Sequence, residues 1–289
     1  MSAIFKREFK SYFTNMSGAL FISVLLLFTG IFVASINLLG QYAAFEYALE
    51  NVTIILLLVV PVLSMRSIAE DKRAKTDTLL YSLPIRLSSI VMGKYLAMLA
   101  VFLIPVAVMA LYPLILSGFS GGTLHFATAY ASIFGFVLLG AALISLCMFM
   151  SSLTESQVIA AVTGFAAVLL IYFIHAIADM IPSAPAVSLV CFLLLSILTA
   201  LILYHLTKNV AVSTIVGGSL AVLVLVLYLL SPSIFENALP SLLHSLALFE
   251  RYYDFTYGIF NLKDVLFYLS FTAFFLFLTG KALDKKRWA

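Results

Sequence analysis

Long apolar runs recur along the whole chain and constrain its fold more than any other feature. Eight runs carry few or no charges, at 18–39, 49–66, 95–116, 124–150, 157–178, 187–205, 210–230 and 265–283. Most are close to the roughly 20 residues that a helix needs to cross a bilayer. Apolar residues make up 64% of the chain and charged residues 10%, against about 45–50% and about 25% in soluble domains. The sequence therefore predicts an all-α integral membrane protein with about eight transmembrane helices in one domain, 1–289.

The distribution of basic residues predicts the orientation of these spans. If the N-terminus is cytoplasmic, 14 of the 16 Lys and Arg fall in cytoplasmic segments, and only Arg251 and Lys263 lie outside. Cytoplasmic loops carry such an excess of positive charge. We therefore expect both termini in the cytoplasm and residues 231–264 outside.

Residues 231–264 contain Pro232, Pro240 and a dense aromatic cluster. Aromatic rings favour the headgroup region of a bilayer. We expect interfacial or re-entrant helices on the outer face, before the last span. The candidate interfacial residues are Phe249, Tyr252, Tyr253, Phe255 and Tyr257.

Residues 2–13 form a predicted amphipathic helix at the start of the chain. Four aromatic residues share one face, Phe5, Phe9, Tyr12 and Phe13, and Lys6, Arg7 and Lys10 gather on the other. Such a helix lies in the membrane interface. It is predicted to be an elbow joined to the first span, with a simple anchor as the alternative.

The segment 66–94 is polar and basic, and it connects the second span to the third. It holds six Lys or Arg residues interleaved with Glu70, Asp71 and Asp77. This mixture predicts a solvated cytoplasmic helix, with Ser67 as its cap and Pro84 forcing its end. A charged helix tied to spans at both ends can transmit a push from a soluble partner.

The middle of this segment resembles the coupling segment of ABC-2 type permeases, most closely the gliding-motility and nitrous-oxide-accessory subfamily. The matching residues are Glu70, Asp71, Lys72, Arg73, Thr76, Asp77, Leu79, Leu80, Leu83 and Pro84. Lys75 and Thr78 depart from the pattern, which has Gly and often Glu there. The stretch 249–288 is similar to the end of the same subfamily, with its aromatic patch, Asp264 and terminal Arg287-Trp288. On composition alone, the segment would be an ordinary solvated loop.

The resemblance implies a permease subunit that couples ATP hydrolysis by a separate ATPase to substrate movement, with export as the expected direction. The implied partners are two copies of an ABC ATPase, which binds ATP and Mg, and a second permease copy or related permease. The expected location is the bacterial inner membrane, with no nucleic-acid partner. The sequence has no Walker A loop or dinucleotide fingerprint, so no cofactor and no catalytic residue are expected in this chain. Permeases of this kind usually have six spans, which makes 187–230 a predicted extra helical hairpin.

Two other functions stay open at this point: an ion-coupled secondary transporter, and a subunit of an ABC-type envelope machine without a small-molecule cargo. A secondary transporter should carry ionisable groups at membrane depth. His175 and Asp179, spaced i, i+4 near the outer end of the fifth span, are candidates for an interfacial pair or a proton relay. Cys147 and Cys191 fall inside apolar runs, so we expect no disulfide. No Cys or His spacing indicates a metal site.

Overall fold

The computed structural model describes residues 2–42, 44–75, 87–119 and 125–287, and every regular element in these ranges is a helix. The first half contains α1 Ser2–Thr14, α2 Ser17–Phe32, α3 Phe45–Ser64, α4 Ala69–Arg73, α5 Leu87–Met109, α6 Tyr112–Phe119 and α7 Phe126–Leu153. The second half contains α8 Gln157–Met180, α9 Pro185–Thr207, α10 Val210–Leu230, α11 Ala238–Leu246, α12 Leu248–Thr256 and α13 Leu262–Arg287. A π-helical stretch, Val33–Leu39, extends α2, and a 3-10 turn, Pro232–Phe235, precedes α11.

Eight helical segments in the described residues are long and apolar enough to cross a membrane. They are Ser17–Leu39, Phe45–Arg73, Leu87–Gly118, Phe126–Leu153, Gln157–Met180, Pro185–Tyr204, Val210–Leu230 and Leu262–Lys285. A helix pairs most of its backbone polar groups internally, which the hydrocarbon of a bilayer requires. The predicted all-α membrane fold with eight spans is confirmed, and the chain is a multi-pass membrane protein.

The prediction of one solvated helix that is capped by Ser67 and ends at Pro84 is wrong within the described residues. After α3, residues 65–68 form a turn, α4 covers only Ala69–Arg73, and a second turn ends at Lys75. The third span then begins at Leu87, well before the predicted residue 95, because the polar residues at its start are taken up by contacts within the protein. Residues 76–86 lie outside the described residues.

Two prolines of the third apolar run lie in different local structures. Pro105 lies inside α5, which continues to Met109. Pro113 is the second residue of α6, after a break at 110–111, where a missing N–H costs nothing because the first turn has no internal acceptor for it.

The contacts of the chain divide into two compact units, and the first comprises residues 1–170 and 248–289. Its central helix is α7, which packs against α3, α5, α12 and α13. Glycines in α7 permit this close packing. A Cβ at Gly140 would lie 2.2 Å from Phe102 Cζ of α5, and one at Gly135 would lie 2.8 Å from Phe255 Cγ of α12. These two glycines therefore have a packing role.

The second unit, residues 171–247, contains the predicted hairpin as α9 and α10. The two helices pack against each other along their length. Lys208 makes the turn with a left-handed φ of 51°, and Asn209 caps α10 by accepting the N–H of Ala211 at 3.0 Å. Such a cap satisfies a donor that the first turn leaves without a partner.

Candidate functional site

Lys94 is the buried centre of a polar cluster at one end of the first unit. This end, called the basic end below, is formed by α1, residues 65–75, the first turns of α5 and the last turn of α7. Lys94 is 4% exposed. Its Nζ lies 2.6 Å from Asp71 Oδ2 and 3.1 Å from Glu8 Oε1, and it donates to the Ser67 carbonyl at 2.6 Å. The Ser67 carbonyl thus accepts one hydrogen bond from the ammonium, and two carboxylates at ion-pair distance compensate its buried charge.

Arg7 completes this cluster from α1. Its guanidinium donates to Glu8 and lies 4.0 Å from Asp71 Oδ2. The hydrogen bond to Glu8 raises the pKa of Arg7. Two positive and two negative groups thus balance, and they connect α1, α4 and α5.

The last turn of α7 holds the other side of α4. The Ser151 hydroxyl accepts the N–H of Ile68 at 3.4 Å and of Ala69 at 3.1 Å, and it donates to the Met65 carbonyl at 3.3 Å. Lys72 Nζ donates to the Ser152 carbonyl. The predicted cap from Ser67 is therefore wrong: a serine from another helix caps α4.

The coupling residues predicted as an exposed charged rim divide into two groups. Lys72 is buried at 5% exposure and Asp71 is half-buried, so the expectation that they are exposed is wrong, because both bind other parts of the chain. Glu70 is half-buried and pairs with Arg66 at 3.1 Å, whereas Arg73 is exposed. Thr76, Asp77, Leu79, Leu80, Leu83 and Pro84 lie outside the described residues, so their docking role stays a prediction.

The elbow residues of α1 also divide between two faces. Ile4 and Tyr12 are buried; Ile4 packs with Ile90 and Leu87 of α5, and Tyr12 donates to the Leu63 carbonyl at 3.3 Å. Burial raises the pKa of the Tyr12 hydroxyl. Tyr12 lies seven residues after Phe5, about two helical turns, so it occupies the buried edge of the aromatic face.

Phe5, Phe9 and Phe13 form that aromatic face of α1. The rings of Phe5 and Phe9 are 5.8 Å apart, and those of Phe9 and Phe13 are 5.1 Å apart. The first two are half-buried and Phe13 is 40% exposed. One face of α1 is thus anchored to the protein while another presents aromatic rings outward.

The external aromatic residues are mostly not surface residues. Phe249, Tyr252 and Phe255 are buried, because the helical repeat of α12 turns them onto α7. Their predicted exposure to headgroups is therefore wrong. Tyr253 is half-buried, and Tyr257 is 70% exposed, as an interfacial residue should be.

His175 and Asp179 lie together in the second unit. His175 Nε2 is 3.4 Å from Asp179 Oδ2, so the predicted i, i+4 contact is confirmed. His244 joins them from α11, with its Nε2 3.3 Å from Asp179 Oδ1.

Sequence reasoning missed Glu8, Lys94, Ser151, Ser152 and His244. Lys94 could have been identified from the sequence, because it directly precedes a long apolar run. If the transmembrane helix begins before Lys94, the charge of this lysine needs a partner. The two serines stood out only as part of a short polar turn. His244 is 69 residues from His175, a separation in which no local spacing pattern is visible.

The family of the chain follows from a comparison with protein-family models. The model for "ABC-2 family transporter protein" matches residues 3–184, which is more than half of the chain. The chain therefore belongs to the ABC-2 transporter family and is the membrane permease component of an ABC transporter, a class of subunit that pairs with an ABC ATPase and has no ATPase motif of its own. The matched region contains the whole Lys94 cluster and ends one residue before α9. Searches among curated proteins and among solved structures gave no match.

Proposed function

We propose that this chain is the transmembrane subunit of an ABC exporter of the gliding-motility and nitrous-oxide-accessory subfamily, located in a bacterial inner membrane. Its basic end faces the cytoplasm and receives two copies of a separate ATPase, which bind ATP and Mg. A second permease copy, or a related permease, completes the complex. The ordered motif at 70–84 and the concentration of 14 of the 16 Lys and Arg on one predicted side support this proposal.

The observation that carries the proposal is the attachment of α4 to three other helices. A helix of five residues cannot transmit force by itself, since so short a helix is marginal without tertiary contacts. Lys94 connects α4 to α1 and α5, and Ser151 with Lys72 connects it to α7. A displacement of α4 by the ATPase would therefore move the ends of several spans together.

The division of charges suggests how the ATPase docks. Asp71 and Lys72 are used inside the protein, so they hold the segment in place rather than contact the partner. Arg73 remains on the surface, where a charge guides association. The apolar anchors that enter a groove on the ATPase are Leu79, Leu80 and Leu83.

The test is the variant Leu79→Ala with Leu80→Ala, co-purified with the native ATPase and assayed for ATP turnover in lipid. Burying one Leu contributes about 1.5–3 kcal/mol, and about 1.4 kcal/mol is a factor of ten in affinity. We expect the permease to insert normally while docking weakens by about tenfold or more. The matched control is Leu229→Ala with Leu230→Ala, two exposed leucines at the end of α10, which should leave docking unchanged. If the first variant keeps full ATPase binding and full coupled ATP turnover, the proposed docking role of 76–86 is wrong.

A further inference from the structure

Two histidines from distant parts of the sequence face each other in the second unit. His175 lies near the end of α8 and His244 in α11, and their Nδ1 atoms are 3.2 Å apart. The ring centroids are 5.0 Å apart at an interplanar angle of 69°. The Nδ1 atoms are thus closer together than the ring centres, so the two rings approach each other through their Nδ1 edges.

Asp179 contacts the opposite nitrogen of each ring. Its Oδ2 lies 3.4 Å from His175 Nε2, and its Oδ1 lies 3.3 Å from His244 Nε2. An ionised carboxylate only accepts hydrogen bonds, and a neutral imidazole carries one N–H and one lone pair. The negative charge of Asp179 beside each Nε2 favours the tautomer with the proton on that nitrogen. In this tautomer each Nδ1 carries a lone pair, and the two Nδ1 atoms are 3.2 Å apart.

Two facing lone pairs repel, whereas a cation between them binds both. Zn–N bonds are about 2.0–2.1 Å, so two nitrogens 3.2 Å apart subtend roughly 100° at one ion, close to a tetrahedral angle. Metal-binding histidines also commonly donate their other N–H to a carboxylate, which orients the ring. The side chains of His175 and His244 are 45% and 31% exposed, so the site is open to further ligands.

We propose that His175 and His244 bind a divalent transition-metal ion of the zinc type through Nδ1. Asp179 is the positioning residue that holds both rings. The ion fastens α11 to the end of α8 within the second unit. This site shares no residue with the basic end and does not depend on coupling to the ATPase.

The test measures Zn²⁺ binding to the full-length protein, purified in detergent on an affinity tag without histidine and stripped with a chelator. We expect one Zn²⁺ per chain by isothermal titration calorimetry and elemental analysis. His175→Gln and His244→Gln should each lose this binding, and Asp179→Asn should weaken it by about 10–100-fold. His125→Gln is the matched control, because this exposed histidine directly precedes α7 in the first unit, and it should bind as wild type does.

A second measurement separates loss of the site from loss of the fold. An ion that binds only the folded state raises its melting temperature. Zn²⁺ should therefore raise the melting temperature of the wild type and of His125→Gln, and should leave that of His244→Gln unchanged. If the wild type binds no Zn²⁺, or if the double variant His175→Gln with His244→Gln binds it equally well, the proposal is wrong. In the first of these cases the two rings share a proton instead.

Discussion

Lys94 shows how one residue can change the extent of a span. A lysine two turns into a transmembrane helix is costly unless its charge is compensated. Glu8, Asp71 and the Ser67 carbonyl provide that compensation, so α5 can begin at Leu87 rather than after the last charge. The boundary of the third span is thus decided by residues on α1 and α4, which no local pattern around residue 94 contains.

Replacement of Lys94 by Met tests this explanation. Met keeps much of the chain length but leaves the carboxylates of Glu8 and Asp71 without their main partner. Removing one member of a buried ion pair typically costs about 3–5 kcal/mol, so we expect a clear fall in the melting temperature in detergent. Lys10→Met makes the same change at an exposed position of α1 and should shift stability by no more than about 0.5 kcal/mol.

A compensating variant distinguishes ion pairing from simple packing at this site. Adding Glu8→Gln and Asp71→Asn to Lys94→Met removes the two carboxylates that the single change leaves uncompensated. We expect the triple variant to recover most of the lost melting temperature. If the triple variant is less stable than Lys94→Met alone, side-chain packing and not charge balance stabilises the cluster.

At the scale of single helices, the close packing of α7 against its neighbours requires glycine at some positions. Gly140→Ala places a Cβ 2.2 Å from the ring of Phe102, and overpacking of this kind costs about 1–3 kcal/mol. We expect a lower melting temperature, although Ala favours a helix over Gly by about 1 kcal/mol. Gly280→Ala in α13, where a Cβ would meet nothing within 4 Å, should be neutral or stabilising. Equal effects of the two changes would contradict the packing account.

The positions of the helices were predictable because hydrophobic length is a strong local signal. The second, sixth and seventh spans, for example, were all located from composition, although the second begins at Phe45 rather than near residue 49. The burial of polar and aromatic side chains was less predictable. Lys72 was expected on a rim and is buried, and Tyr252 was expected at headgroups and is also buried. In each case the partner comes from a helix distant in sequence, so the periodicity of the residue's own helix could not identify it.

At the scale of the whole molecule, the basic residues and the described contacts agree on which segments lie at one end of the first unit. The end of α13, with Lys281, lies beside Leu87 and Ser88 of α5, and α1 and α4 meet the same helix. All of these segments were predicted to be cytoplasmic. The hairpin of α9 and α10 lies beyond the family match, which ends at residue 184.

Cysteine labelling tests the orientation of the chain. In a background with Cys147→Ala and Cys191→Ala, Ala74→Cys should react in intact cells only with reagents that cross the membrane. Glu236→Cys should react with impermeant reagents, because 231–264 is predicted outside. Both positions are exposed. Labelling of position 74 by an impermeant reagent in intact cells would reverse the predicted orientation.

The central claim is that the ATPase contacts the chain beside α4, and cross-linking in native membranes tests it most directly. A photo-reactive amino acid is placed at Arg73, which is exposed on α4, and in a second variant at Tyr257, which is 70% exposed near the opposite end. The account predicts an ATP-dependent adduct with the ABC ATPase from position 73 and none from position 257. An ATPase adduct from position 257, or none from position 73 in a complex that still hydrolyses ATP, would contradict it.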